Sequence, residues 1–462
     1  MLFINRGAEL AALRELDIGL AVVWGRRRIG KTRLLLEWCD REDGLYTVAD
    51  QSSPEVQRAY LAGALGARLP GFGDVTYPDW ERLLSRLAAD ASAHGFRGPV
   101  VLDELPYLVA SSPELPSVLQ RWIDHDAARA RLRVAIAGSS QRMMQGLALA
   151  PDAPLYGRAR VLLDIQPLAP RFLADALDHV SGVDLVEQWT AWGGVPRYWE
   201  LAASRRGPAR NRIAALVLDP LGPLFSEAER LLMEESPSAL EVRPVLDAIG
   251  AGAHRVSEIA GRLGRPATSL GKPLDRLLGM GLIRREAPYG DPARGGKRSL
   301  YKIDDPFLRL WFRVVAPNRA ALTAGTRASR MALLAPHWDT LVAQAWEDLC
   351  RAAVPRLARG ALARLGPWSP ARRYWHGAEP EWDVVADAVQ GSRLLVGEAW
   401  FSRKPVTPAA LKATAASLSH RPLPPGTAGR DIVRALFVPR VAAGAPRVVA
   451  GVHVVIQGDV LR

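Results

Sequence analysis

Two cysteines in 462 residues, Cys39 and Cys350, are too few and too far apart for a disulfide framework or a cysteine metal cluster. Lysine is scarce too: it occurs only at positions 31, 272, 297, 302, 404 and 412, so arginine carries nearly all the basic charge. No apolar run approaches the roughly 20 residues a membrane-spanning helix requires. The opening "MLFINRGAELAALREL" has charges where a secretory signal needs an apolar stretch, so a soluble, cytoplasmic chain without a membrane partner is expected. Internal repeats are missing, and no biased tract exceeds the loop "HRPLPPGTAGR" at 420–430.

What is present is ordinary globular composition, 48% hydrophobic and 23% charged, in a chain long enough for about three domains. The formal net charge of +12 favours a polyanionic partner such as nucleic acid. A GC-rich genome produces the same arginine and alanine excess, so charge alone does not decide.

Along the first third, short apolar runs at 19–24, 44–49, 98–105 and 133–140 alternate with helical stretches, which points to a parallel sheet with helices on its faces. From about 166 to 237 the pattern is helical, interrupted by "WGGVPRYWE". Past Ala239 three helical runs precede two strands around a Gly/Arg-rich loop, the order of a winged helix-turn-helix. "DPFLRLWFRVVAPN" spaces its aromatics as a helical packing face, and four short strands follow from "WDVVADA" onward.

Between the first strand and its helix stands Gly25-x-x-x-x-Gly30-Lys31-Thr32, a Walker A pattern. Its glycines let backbone N–H groups of Arg26, Arg27, Arg28 and Ile29 turn toward phosphates, with Arg33 entering the helix behind them. Lys31 would reach the β- and γ-phosphates of ATP, and Thr32 would ligate Mg²⁺. "VVLDEL" ends a buried strand in Asp103, suited to the Mg²⁺ shell, and Glu104, suited to polarise the attacking water. Ser139 and Ser140 end another strand, where a hydroxyl can touch the γ-phosphate or simply close a turn. Arg158 could offset charge on the transferred phosphoryl group, within its own subunit or across to a neighbour, or be one surface arginine among many.

In chain order, "FINRGAELAAL", the glycine loop, "VVLDELPYL", "AIAGSSQRMM", "APLYGR" and "WGGVPRYWE" resemble the archaeal-type ATPase family, in the signal-transduction class of AAA-related P-loop ATPases. The resemblance runs on through "YKIDDPFLRLWFRVVAPN" into the C-terminal domain of unknown function commonly fused to these ATPases. It implies an α/β P-loop ATPase core (1–165), a helical lid (166–237), a winged helix-turn-helix (238–320) and an α/β restriction-endonuclease-like, PD-(D/E)xK-type domain (321–462). It also implies an ATP-driven switch, with Pro196 of the Gly193-Gly194-x-Pro196 motif meeting the nucleotide, and Arg6 and Glu9 near the base.

In the winged helix, Thr268, Ser269, Lys272 and Arg276 would face a DNA major groove. Arg284, Arg285, Arg294, Lys297 and Arg298 would crowd the wing near phosphates. Such modules also serve as internal packing units. In the nuclease-like domain Glu347, Asp383 and Glu398 match the metal-binding acids, but Trp400 stands where the fold expects lysine, and Lys404 is too far along the strand. The expectation is therefore an ATP-hydrolysing switch with a DNA-binding winged helix and a non-cleaving C-terminal domain. Two alternatives are kept: an ATP-gated, metal-dependent DNA nuclease, and an ATP-binding scaffold that assembles with itself or other proteins and never touches DNA.

Overall fold

A computed structural model describes residues 3–139, 141–177, 180, 182–235, 239–292, 298–358, 360–377 and 379–461. Internal contacts divide the chain into one unit of Met1–Leu168 with Val195–Arg197 and a second of Ala169–Gly194 with Tyr198–Arg462.

In the first unit the apolar runs become β1 (Gly19–Trp24), β2 (Leu45–Val48), β3 (Pro99–Asp103) and β4 (Arg133–Gly138), joined by β5 (Ala159–Asp164). All pair in parallel, in the order β2–β3–β4–β1–β5. Because strands buried on both faces send alternate side chains to opposite sides, the sheet carries two cores. Leu20, Val22, Val100, Leu102, Val134 and Ile136 pack beneath α3 (Pro54–Gly66) and α4 (Trp80–Ala93). Ala21, Val23, Val101, Ala135 and Ala137 pack with α1 (Gly7–Arg14) and α2 (Lys31–Arg41). α5 (Leu105–Ser111) and α6 (Leu115–Trp122) join the first core. β5 escapes the apolar-run criterion because it is an edge strand, half-buried and exposed residues alternating along it.

The second unit opens with helices, among them Val183–Trp192, Ala209–Leu216 and Glu227–Glu235. Helices Ala239–Gly250, Val256–Leu263 and Gly271–Gly279 follow, then β6 (Ile283–Glu286) antiparallel to β7 (Leu300–Ile303). The third helix is shorter than its sequence suggests, since Ala267–Leu270 after Pro266 forms only a 3₁₀ turn. The aromatic run packs as expected: Phe307, Trp311 and Phe312 are all buried.

A 27-residue helix, Arg327–Ala353, buries Leu334, Trp338, Leu341, Val342, Ala345, Trp346 and Leu349 along one stripe. The C-terminal sheet runs β12–β13–β11–β10–β9–β8, from β8 (Arg372–Tyr374), β9 (Trp382–Asp387), β10 (Arg393–Ala399), β11 (Asp431–Val438), β12 (Val448–Val449) and β13 (Val452–Ile456). β10, β11 and β13 are parallel, and the outer strands antiparallel. The segment after β6 docks on this sheet: Tyr289 N–H donates to the Arg373 carbonyl at 2.8 Å, and its hydroxyl donates to Asp387 Oδ1 at 2.8 Å.

Candidate nucleotide site

Parallel register puts the ends of β1, β3 and β4 on one edge of the sheet, where open α/β sheets bind ligands. The loop leaving β1 turns sharply there, with φ of 140° at Gly25, 67° at Arg28 and 95° at Gly30. A Cβ on Gly25 would lie 2.5 Å from the Ile165 carbonyl oxygen and 2.7 Å from Ile29 Cδ1, so no side chain fits. Ile29 is fully buried and fastens the middle of the loop into the core; such burial stabilises by roughly 1.5–3 kcal/mol.

Gly30 starts α2 without a side-chain cap, and the helix's first turn carries no acid. Its N-terminal amides are therefore not taken up by a capping side chain, which suits an anion. Lys31 is buried, with Nζ donating to Gly25 O at 2.9 Å, Arg26 O at 3.1 Å and Ser139 Oγ at 2.9 Å. A positive turn of backbone closed over a buried ammonium fits a polyphosphate.

Two short networks meet here. Ser139 Oγ accepts from Lys31 and donates to Glu104 Oε1, while Ser139 N–H reaches Glu104 Oε2 at 3.3 Å. Asp103 Oδ2 accepts from Thr32 Oγ1 and from the Tyr46 hydroxyl, both at 2.8 Å, and Oδ1 accepts the Glu104 N–H at 2.9 Å. Glu104 holds a left-handed φ of 54°, a conformation costing a β-carbon residue about 1–2 kcal/mol, and leads into α5. The turn carries its carboxylate to Ser139, one strand over. The oxygen-only set of Thr32 and Asp103 suits a hard cation.

Tyr46 is the participant that sequence reasoning missed. It sits mid-strand on β2, two residues before Val48, which pairs with Asp103. Burial and the neighbouring Asp103 push its phenol far up, so it remains a donor throughout the working pH range. Only the β2–β3 pairing reveals it.

Arg6 is buried and braces the loop from behind: Nη2 donates to Ile29 O and to Gln166 O, each at 2.8 Å, while Nη1 pairs with Glu9 at 2.9 Å. Pro196 lies over the loop, its Cγ 3.7 Å from where a Cβ on Gly30 would stand. Arg27 Nη2 donates to Tyr107 at 2.9 Å, giving one loop arginine a partner on α5, and Arg33 faces Glu37 at 3.6 Å along α2. Ser140 lies outside the described residues.

Arg158 is not part of this constellation. It precedes β5 and so stands at the opposite edge of the sheet, its Nε donating to Asp124 at 2.9 and 3.0 Å. The expectation that it meets the nucleotide of its own subunit fails because a residue before a parallel strand cannot reach the edge where strands end.

In the second unit Thr268, Ser269 and Lys272 are exposed, and Arg276 is partly buried 3.9 Å from Glu241. Arg284 turns inward to Asp304 and Asp348 rather than outward as a wing contact. Arg285 donates to Ser299 Oγ at 2.8 Å, and Arg298 is paired with Asp291. Arg294 and Lys297 lie outside the described residues.

Of the three C-terminal acids, burial and the charge of Asp383 push Glu347 up to about 7, and the same two causes raise Glu398. Arginines surround them. Arg421 donates to Glu398 at 2.5 Å, Arg351 stands 3.6 Å from Glu347, and Asp383 Oδ2 accepts the Ala399 N–H at 2.9 Å. No group of three or more His, Cys, Asp or Glu poised for a metal occurs among the described residues. Trp400 and Lys404 are both exposed.

The strand–loop–helix, the buried lysine and the acid pair ending β3 define a P-loop, ATPase-type domain. Residues 3–201 match the family of ATPase domains predominantly from Archaea, and residues 311–411 match archaeal and bacterial proteins of unknown function. Over 3–201 the chain is thus similar to archaeal-type ATPase domains, and over 311–411 to that family of unknown function. An uncharacterized protein of Methanocaldococcus jannaschii is 28% identical over 328 residues, 70% of this chain and 71% of its own length. A Walker-type ATPase structure from Pyrococcus abyssi shares the fold at 20% identity and a TM-score of 0.53, over 68% of this chain and 96% of that one. The Aeropyrum pernix ORC2 structure aligns at 15% identity and a TM-score of 0.41, over 74% and 94%. No helix among the described residues is long and apolar enough to cross a membrane.

Proposed function

We propose that the protein is an ATP-hydrolysing molecular switch. The observation that carries this reading is the continuous hydrogen-bonded set Lys31–Ser139–Glu104 beside Thr32–Asp103–Tyr46 at one sheet edge. Loop amides and Lys31 bind the phosphates. Thr32 and Asp103 hold Mg²⁺, which when bound supplies positive charge at the phosphate oxygens. Glu104 orients and deprotonates the attacking water, with Ser139 setting its carboxylate. Turnover of ATP by the intact chain, by Lys31→Ala and by Glu104→Gln tests the assignment, with and without duplex DNA. Lys31→Ala should lose binding, and Glu104→Gln should bind ATP while turnover drops about 100-fold or more. Wild-type protein inert toward ATP with Mg²⁺ would remove the enzyme claim.

The output module is read as a winged helix, supported by three helices followed by a β-hairpin. Its DNA-facing set is read as Thr268, Ser269, Lys272 and the partly buried Arg276, with Arg298 at the wing paired to Asp291 and Arg284 held by Asp304 and Asp348. Docking of Tyr289 on the C-terminal sheet favours internal packing as a second reading. An electrophoretic shift lost in Lys272→Glu supports DNA contact; no shift even at low salt supports internal packing. The C-terminal domain is read as nuclease-like and non-cleaving, since Trp400 cannot replace lysine and Arg421 occupies Glu398. Plasmid nicking by the unmodified chain with Mg²⁺ or Mn²⁺ would overturn that.

A further inference from the structure

Within the second unit lies a cavity with about 80 Å³ open to water centres, against roughly 10–15 Å³ for a single water. Its walls come from the end of helix Ala239–Gly250, from β6 and β7, from the segment Pro306–Val315 and from the long helix Arg327–Ala353. Five cations line it: Arg284, Lys302, Arg309, Arg313 and Arg351. Only two carboxylates do, Glu347 and Asp348.

Most of the positive charge is answered from within. Asp348 accepts from Arg284 and Arg351 at 2.6 Å each and from Arg309 at 2.8 Å. Asp304 takes the other side of Arg284, and Glu286 pairs with Lys302 at 2.6 Å. Among the described residues Arg313 makes no such ion pair; it donates Nη1 to the Gly250 carbonyl, at 3.3 Å. The neighbouring imidazole senses the surplus, since burial and then Arg313 hold His337 below the ordinary histidine range. A half-buried guanidinium with no carboxylate partner among the described residues, facing an open cavity, is what a bound anion would satisfy.

We propose that this cavity is a binding site for a small phosphate-type anion, inorganic or the phosphate end of a metabolite, gripped by Arg313 with Arg309 and His337. Bound there, the anion ties the segment Pro306–Val315 to the long helix, so occupancy would stiffen the joint between them. The site does not depend on the ATPase reading.

Calorimetry and thermal melts of full-length Lys31→Ala with orthophosphate or pyrophosphate, against chloride at matched ionic strength, test it with the glycine loop disabled. The expected result is saturable binding with a raised melting temperature, weakened at least tenfold by Arg313→Gln and, separately, by His337→Glu. Absence of binding in the Lys31→Ala chain overturns the proposal. So does binding that both cavity variants leave unchanged.

Discussion

In the glycine loop, three consecutive arginines lend backbone to a turn, and Lys31, the only lysine before Lys272, is buried among oxygen acceptors. Around Asp348, three arginines from three separate segments converge on one carboxylate. Apart from Ser139, the first arrangement is built from neighbours in sequence, whereas every arginine of the second but Arg351 comes from a segment distant from Asp348, Arg284 lying 67 positions from Arg351. The contrast bears on the net charge of +12: part of that surplus never faces solvent as a binding surface. Arginine counted along a chain measures electrostatic supply, not its use.

The sharpest way to break the comparison is to remove the hub. Burial alone would raise Asp348, but Arg284, Arg309 and Arg351 hold it well below the usual carboxylate range. Asp348→Asn leaves three guanidinium groups short of charge and should destabilise the second unit by about 3–5 kcal/mol. Differential scanning calorimetry would show one transition falling while that of the ATPase unit stays. Coincident movement of both would mean that the two arrangements are not independent.

Next in size is a pH effect at Glu347. Its pKa is raised on folding, to about 7, so its contribution is fully present below its unfolded value near 4.3 and lost as pH rises through about 7. Glu347→Gln should therefore raise the melting temperature by several degrees at pH 8 and little at pH 5. An equal effect at both values would show that burial of the carboxylate is not the cause.

The smallest effect falls in the nucleotide site. Tyr46→Phe removes one hydrogen bond to Asp103, a loss of about 1 kcal/mol. The Mg²⁺ concentration for half-maximal turnover should rise about fivefold, with nucleotide affinity in EDTA unchanged. A fall in that EDTA affinity would place Tyr46 in loop packing instead.

Legibility in sequence follows the same divide. Gly25 to Thr32 and Asp103-Glu104 could be read because backbone turn, helix start and strand end are local events with fixed spacing. The strands at 19–24 and 133–138 announced themselves by unbroken apolar burial. Tyr46 could not, since a tyrosine in "GLYTVA" is unremarkable until β2 pairs with β3. β5 lacked an apolar run because only one side of an edge strand is covered. Arg158 was placed by motif order, whereas its location depends on which end of β5 it precedes. The inward turn of Arg284 depends on a helix that begins more than forty residues later.

Arg6 carries a practical consequence. A chain trimmed just past it, by a protease or by a choice of start codon, would retain every residue of the glycine loop and of the acid pair. It would nonetheless lose the guanidinium that joins Ile29 to Gln166, leaving the loop to open and close against Ile29 alone. An intact motif in a database search and a working pocket in a test tube are then different properties. Arg6→Ala, which should bind ATP about tenfold more weakly with an unchanged circular dichroism spectrum, would measure the gap between them.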